Sequence, residues 1–224
     1  MANAKDVQAV VGAVQRQMEG LRLWGVTDLP RGAEQRVGQR ITALRRLDQE
    51  VKACTRCPLF RTRTHHVLGE GRPDAELVFV GEAPGREEDL QGRPFIGAAG
   101  QLLTKMIEAM GLRREDVYIC NVLKDRPPGN RTPLPEEVEA CLPFLMQQLA
   151  IIQPKVICAL GSVAAKALLG AKVSIMRIRG QPHEFGGIPL IPTYHPAYLL
   201  RNPPAKRLVW QDLKKVKHIL EQET

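Results

Sequence analysis

Residues 75–81 read Ala-Glu-Leu-Val-Phe-Val-Gly, four consecutive apolar side chains closed by a glycine. So short a run, with no polar alternation, is the pattern of a strand buried on both faces. Three further segments behave alike: VYICNVL at 117–123, KVICALG at 155–161, and Pro189–Thr193. Helical periodicity fills the intervals, over Ala98–Met110, Glu136–Ile152 and Ser162–Leu169. A last amphipathic helix covers roughly Ala205–Gln222, with Leu208, Leu213, Val216 and Leu220 facing inward. Gly111 and Gly170 close two of these helices. Strands alternating with helices predict an α/β fold, a four-stranded parallel sheet flanked by helices on both faces.

Upstream of this body, residues 1–52 read as an N-terminal helical arm, with the main domain at 53–224. Val7, Val10, Val11, Val14, Met18 and Leu21 share one helical face, and Val37, Ile41, Leu44, Leu47 and Val51 another. Pro30, Arg31 and Gly32 separate them. Packing on the body is the expectation for both helices, and binding a partner the alternative.

The whole chain has 224 residues, 44% of them hydrophobic and 25% charged, with a formal charge of +8. That composition excludes disorder as the main state. No apolar run approaches the about 18 residues of a membrane span. The first apolar stretch is too short and broken for a signal peptide. A cytoplasmic protein without a membrane partner is expected, whose five cysteines read as metal ligands or packing groups before disulfides. The positive charge fits an anionic partner such as nucleic acid.

Open parallel sheets bind ligands beyond the carboxyl ends of their strands. The segments leaving those ends are GEAPGREEDLQGRPFIG, NVLKDRPPGNRTP, GSVAAK and HPAYLLRNPP. None contains G-x-G-x-x-G or a G-x-x-x-x-G-K-[ST] phosphate loop. The first holds Glu82, Glu87, Glu88 and Asp89, carboxylates that must face solvent, a cation or a reaction. Phe95 is either packing or a platform for a planar ligand. Asn121 ends an apolar strand, where its carboxamide can tie two loops or meet an imide edge such as that of uracil. Pro196 biases His195 towards an extended backbone. There the imidazole can serve structure or donate to a developing oxyanion. Tyr198, Leu199, Leu200 and Arg201 follow, suited to wedging into a nucleic-acid stack or to packing under the last helix. Cys54-x-x-Cys57 with distant Cys141 signals a metal, with zinc and iron–sulfur both open on spacing. Cys120 and Cys158 lie inside strands as packing thiols.

GEAPGREEDLQGRPFIGAAGQLL, NVLKDRPPGNRTP and HPAYLL, in this order, closely resemble the family 4 uracil-DNA glycosylases, iron–sulfur enzymes of bacteria and archaea. The resemblance covers roughly residues 50–220. It implies a three-layer α/β/α fold and hydrolysis of the N-glycosidic bond of uracil in single- or double-stranded DNA, by a monomer. It assigns Phe95 to stacking on the extruded base, Asn121 to the O4/N3 edge, and His195 to O2. Backbone amides near Glu82 and Ala83 would help at O2. Glu82, or secondarily Asp89, would orient or activate water, and Glu88 would stand near C5 and exclude thymine. Arg61, Arg63, Arg201, Lys206 and Arg207 are the basic candidates for phosphates. A non-catalytic DNA-binding module, or a glycosylase of wider deaminated-base range, are the alternatives. The retained Glu82, Phe95, Asn121 and His195 favour the enzyme.

The family's Lys-Cys-Arg-Pro-Pro motif supplies one of four 4Fe-4S ligands, and here it reads Lys124-Asp125-Arg126-Pro127-Pro128. Cys54, Cys57 and Cys141 match the other three, which leaves Asp125 at the fourth position. An Asp-ligated 4Fe-4S cluster is expected, with a three-iron cluster or a lost cluster as the other outcomes. The long N-terminal arm is a second departure from the family.

Overall fold

A computed structural model describes residues 33–170 and 174–222. The expected helix over Val7–Leu21 lies outside the described residues. Elements follow in the order α1 (Ala33–Lys52), β1 (Gly69–Gly71), β2 (Leu77–Gly81), α2 (Arg86–Gln91), α3 (Ala98–Ala109), β3 (Tyr118–Asn121), α4 (Pro135–Ile152), β4 (Val156–Leu160), α5 (Gly161–Leu169), α6 (Ile175–Ile178), β5 (His183–Phe185), β6 (Ile188–Thr193), α7 (Pro196–Arg201) and α8 (Lys206–Glu221).

The sheet order is β1-β3-β2-β4-β6-β5. Its four middle strands are parallel, as expected, and β1 and β5 add antiparallel edges against β3 and β6. The four-strand expectation is thus corrected to six. Each added strand is three residues long, too short to show a periodicity. The apolar runs are continuous because alternate residues serve opposite layers. Val78, Val80, Cys120, Ile157 and Ala159 pack with Leu145 and Leu149 of α4 and Ala164 and Leu168 of α5. Leu77, Phe79, Ile119, Val156 and Cys158 pack with Leu103 and Ile107 of α3 and Val209 and Leu213 of α8. A third cluster joins Leu47 and Val51, near the end of α1, to Leu68 and Phe144. Ile41, expected on the same inward face of α1, is 38% exposed.

β2 lies between β3 and β4, so the chain leaves β2 in one direction and crosses back over it to reach β4. That reversal opens a crevice at the carboxyl ends of these strands. Gly81 pairs with Asn121 in register, and the backbones stay joined beyond the strands through Val122 N to Gly81 O at 3.0 Å and Leu123 N to Glu82 O at 3.1 Å. Among the described residues, no helix is long and apolar enough to cross a membrane.

Candidate active site

Three loops meet over Gly81. A Cβ there would lie 2.4 Å from Asn121 Oδ1 and 2.5 Å from Phe95 Cζ, so the carboxamide and the ring both close on a position only glycine can occupy. Asn121 is 1% exposed, and its Oδ1 is buried without a hydrogen-bond partner. A buried acceptor left unpaired costs about 1–3 kcal/mol, which marks it as waiting for a donor. The Phe95 ring stands 5.5 Å from the His195 ring at 31°. Phe95, Asn121 and His195, far apart in sequence, therefore line one place.

Phe95 has φ 51°, a left-handed backbone that a phenylalanine adopts only under constraint. The constraint is visible on both sides. Arg114 donates to Phe95 O at 3.1 Å and to Pro94 O at 2.6 Å. Glu88 accepts from the amides of Ile96 and Gly97, both at 2.9 Å, and from Gly85 at 3.1 Å. Glu88 thus braces the platform loop, a duty its expected place near C5 did not include. Arg114 was missed entirely, because nothing local ties an arginine after α3 to a loop nineteen residues earlier.

His195 caps α7 with Nδ1 accepting from Ala197 N at 3.1 Å. An accepting Nδ1 places the proton of the neutral ring on Nε2. Burial, helped by the charge of Arg201, pushes its pKa down to about 4. The ring is therefore a neutral donor through Nε2–H at physiological pH. Gly161, at φ +90°, begins α5 with an ideal Cβ 3.0 Å from His195 Cβ, so the imidazole packs directly on that turn. The β6 end that carries His195 is fixed beneath. Thr193 Oγ1 donates to buried Asp212 at 2.6 Å, and Arg179 clamps the same carboxylate.

Glu82 follows β2, and burial raises its pKa. Ala83 follows it, partly buried against the core. Asp89 is corrected. It is 3% exposed, and its oxygens accept from Thr64 N at 2.8 Å and Thr64 Oγ1 at 2.9 Å. It bolts α2 to the 62–66 segment, and its burial there takes it away from the attacking water. Leu199 is corrected as well. At 1% exposure it belongs to the core, while Tyr198 (38%) and Leu200 (46%) project from α7. The helix turns about 100° per residue, so three adjacent apolar residues cannot all face outward. Arg201, Arg61, Lys206 and Arg207 are exposed. Arg63 is not. It pairs with Asp125 at 3.0 Å and donates to the carbonyls of Val51 and Lys52 at the end of α1.

Cys54, Cys57, Asp125 and Cys141 line one cavity with Val51, Arg56, Lys124, Ala140 and Phe144. The neighbouring Cys141 thiol lowers the Cys57 pKa to about 7. Among the described residues, no three His, Cys, Asp or Glu gather round a single-ion position. The four donors line one cavity instead. Charge supports the fit. Lys124 also lines the cavity, the acceptors its buried amine meets are neutral, and burial lowers its pKa, so only a nearby anion would hold it charged. A buried cation without an anion is costly, and a thiolate-bound cluster is anionic. Cys120 and Cys158 are buried within strands, where burial raises both thiols.

A model of the uracil DNA glycosylase superfamily matches residues 68–214. The type-4 uracil-DNA glycosylase of Thermotoga maritima is 53% identical over 181 residues, covering 79% of this chain and 94% of its own. That of Archaeoglobus fulgidus is 48% identical, covering 75% and 88%. A type-5 uracil-DNA glycosylase of Pyrobaculum aerophilum is more distant, 32% identical over 65% of this chain and 71% of its own.

Proposed function

The chain belongs to the uracil DNA glycosylase superfamily and, within it, to the type-4 uracil-DNA glycosylases, and we propose that it excises uracil from DNA with the residues gathered over Gly81. The observation that carries this reading is the unpartnered, buried Oδ1 of Asn121. Uracil presents N3–H beside O4, so the carboxamide accepts from the first and donates to the second.

The base must leave the helix stack to reach this pocket. Phe95 offers its face to the extruded ring, and Tyr198 and Leu200, exposed on α7, would fill the gap left in the DNA. As the N-glycosidic bond breaks, negative charge grows on the base and positive charge on the sugar. His195 Nε2–H donates to O2, joined by backbone amides near Glu82 and Ala83. A neutral imidazole stabilises the uracil anion by hydrogen bonding without having to protonate it. Glu82, as the carboxylate, offsets the oxocarbenium charge and orients the attacking water, whose oxygen adds to C1′ while its proton passes to the carboxylate and on to the uracil anion. The products are free uracil and an abasic site. Glu88 serves by holding the Phe95 loop, and its place near C5 excludes thymine.

We assign the glycosylase domain to residues 53–224 and the arm to 1–52, acting as a monomer on uracil-containing DNA of either strandedness. For the cysteine cavity we propose a 4Fe-4S cluster held by Cys54, Cys57, Cys141 and Asp125. Its chemistry is structural, cross-linking the 54–57 loop, the exit of β3 and α4. Asp125 can share its lone pairs between iron and Arg63, since a carboxylate has about four acceptor sites. Incubation with a uracil-containing oligonucleotide, then alkaline cleavage of abasic sites, tests the activity. An intact strand after exhaustive digestion overturns it.

A further inference from the structure

Lys124 is 1% exposed and sits on the segment leaving β3. Its ammonium donates to the Asn121 carbonyl at 2.6 Å, to that of Leu68 at 3.4 Å, and to Gln148 Oε1. Gln148, buried on α4, directs its amide to Leu68 O at 2.9 Å and to Tyr118 Oη at 3.0 Å. The same lysine lines the cavity of Cys54, Cys57, Asp125 and Cys141. One residue thus borders both sites, its side chain on Asn121 and its backbone at Cys141. It grips the backbone of the residue whose carboxamide reads the base, and it borders the space where an anion is expected.

We propose that Lys124 is a positioning residue that couples the two sites. The anionic cluster holds the ammonium in place, and the ammonium holds the Asn121 carbonyl, keeping the carboxamide in register opposite Gly81. The inference rests on the glycosylase and cluster readings above. It adds that the two sites communicate, and that the route is three residues long. Coupling between binding equilibria is reciprocal. Uracil seated on Asn121 must therefore retard loss of iron, as the cluster favours uracil. A lysine that merely fills volume produces no such reciprocity.

The test compares wild type, Lys124→Met and Gln148→Leu holoprotein. Iron per chain is measured first. Cluster decay in excess chelator is then followed by visible absorbance, with and without saturating free uracil, whose binding is set by its inhibition of excision in each protein. Uracil should slow decay about five-fold or more in wild type. It should have no effect in Lys124→Met and a reduced effect in Gln148→Leu. Lys124→Met should also lose kcat while keeping KM for DNA. Equal protection in wild type and Lys124→Met overturns the proposal, as does absent protection in iron-loaded wild type that binds uracil. Wild type without iron, or indifferent to uracil, defeats the underlying reading first and this inference with it. Should Lys124→Met fail to fold or to hold iron, Gln148→Leu decides, and undiminished protection there overturns the coupling.

Discussion

The base pocket and the cysteine cavity lie at opposite ends of the short segment Asn121–Asp125 and are built on different principles. The pocket is assembled from the ends of parallel strands. Gly81, Asn121 and Thr193 are held by sheet register, and the loops they launch are pinned by Arg114, Glu88 and Asp212. Its one unmet demand is the Asn121 acceptor. The cavity draws its donors from the chain after α1, the exit of β3 and the middle of α4, with no sheet hydrogen bond among them. It leaves Lys124 buried beside it on neutral acceptors, with burial pulling the pKa of its amine down. On the cluster reading proposed above, the contrast teaches that the pocket is organised by the protein alone, whereas the cavity would be completed by its guest.

The largest expected effect strikes the pocket. Asn121→Ala should lower single-turnover excision about 100-fold, roughly 3 kcal/mol of lost contact to the departing base. Its melting temperature should change little, because the truncated group had no partner for Oδ1. Full activity would remove the pocket from the comparison. Next comes the guest. Stripping iron from the holoprotein should lower unfolding free energy by roughly 3 kcal/mol in denaturant titrations, the scale for removing one partner from a buried charge pair. If stability were unchanged, the cavity would be as self-sufficient as the pocket.

Asp125→Cys should act on the cavity alone. Iron and sulfide should each stay near 4 per chain, as expected for this cluster type. Survival in air and chelator should lengthen, since thiolate is the softer ligand. Excision should stay within about two-fold of wild type, roughly 0.4 kcal/mol in the barrier. An unchanged cluster lifetime would show that Asp125 serves Arg63 only.

The smallest effect is a pH signature. Burial raises the Glu82 pKa in the folded protein, so its ionisation opposes folding. That cost is absent below the ordinary carboxylate value of about 4.3. It grows as pH rises to the raised value and is constant above. Glu82→Gln should therefore be the more stable protein at neutral pH and lose that advantage in acid, as thermal melts across pH would reveal. Wild-type excision should rise through the same window as the carboxylate forms, and Glu82→Gln should show no such limb.

How much of this was legible in the sequence depended on the range of the interactions. The four middle strands were readable because both their faces are buried, which leaves unbroken runs such as Leu77–Val80. Gly69–Gly71 and His183–Phe185 carry no such signal, since their pairing is decided by neighbours distant in the chain. Candidate pocket residues stood out as polar or aromatic groups at strand ends. The use of each carboxylate and cation did not. Asp89 looked as free as Glu82 until Thr64, twenty-five residues away, was found on both its oxygens. Arg63 read as a phosphate contact, and its partner Asp125 is sixty-two residues off. Leu199 and Leu200 differ only in helical phase, which three residues of sequence do not fix. Lys124 lay in plain view within a motif, but its enclosure by Leu68 and Gln148 is a tertiary fact.

The two edge strands carry a consequence of another kind. A parallel sheet exposes at its margins rows of amides and carbonyls on which a second chain can grow. Here each margin is finished by a three-residue antiparallel strand, Gly-Glu-Gly on one side and His-Glu-Phe on the other. Glu70 is moreover held across the first margin by Arg93 and Arg114. So brief and charged a border offers little template for strand addition. Two copies of the protein can thus collide without their sheets fusing.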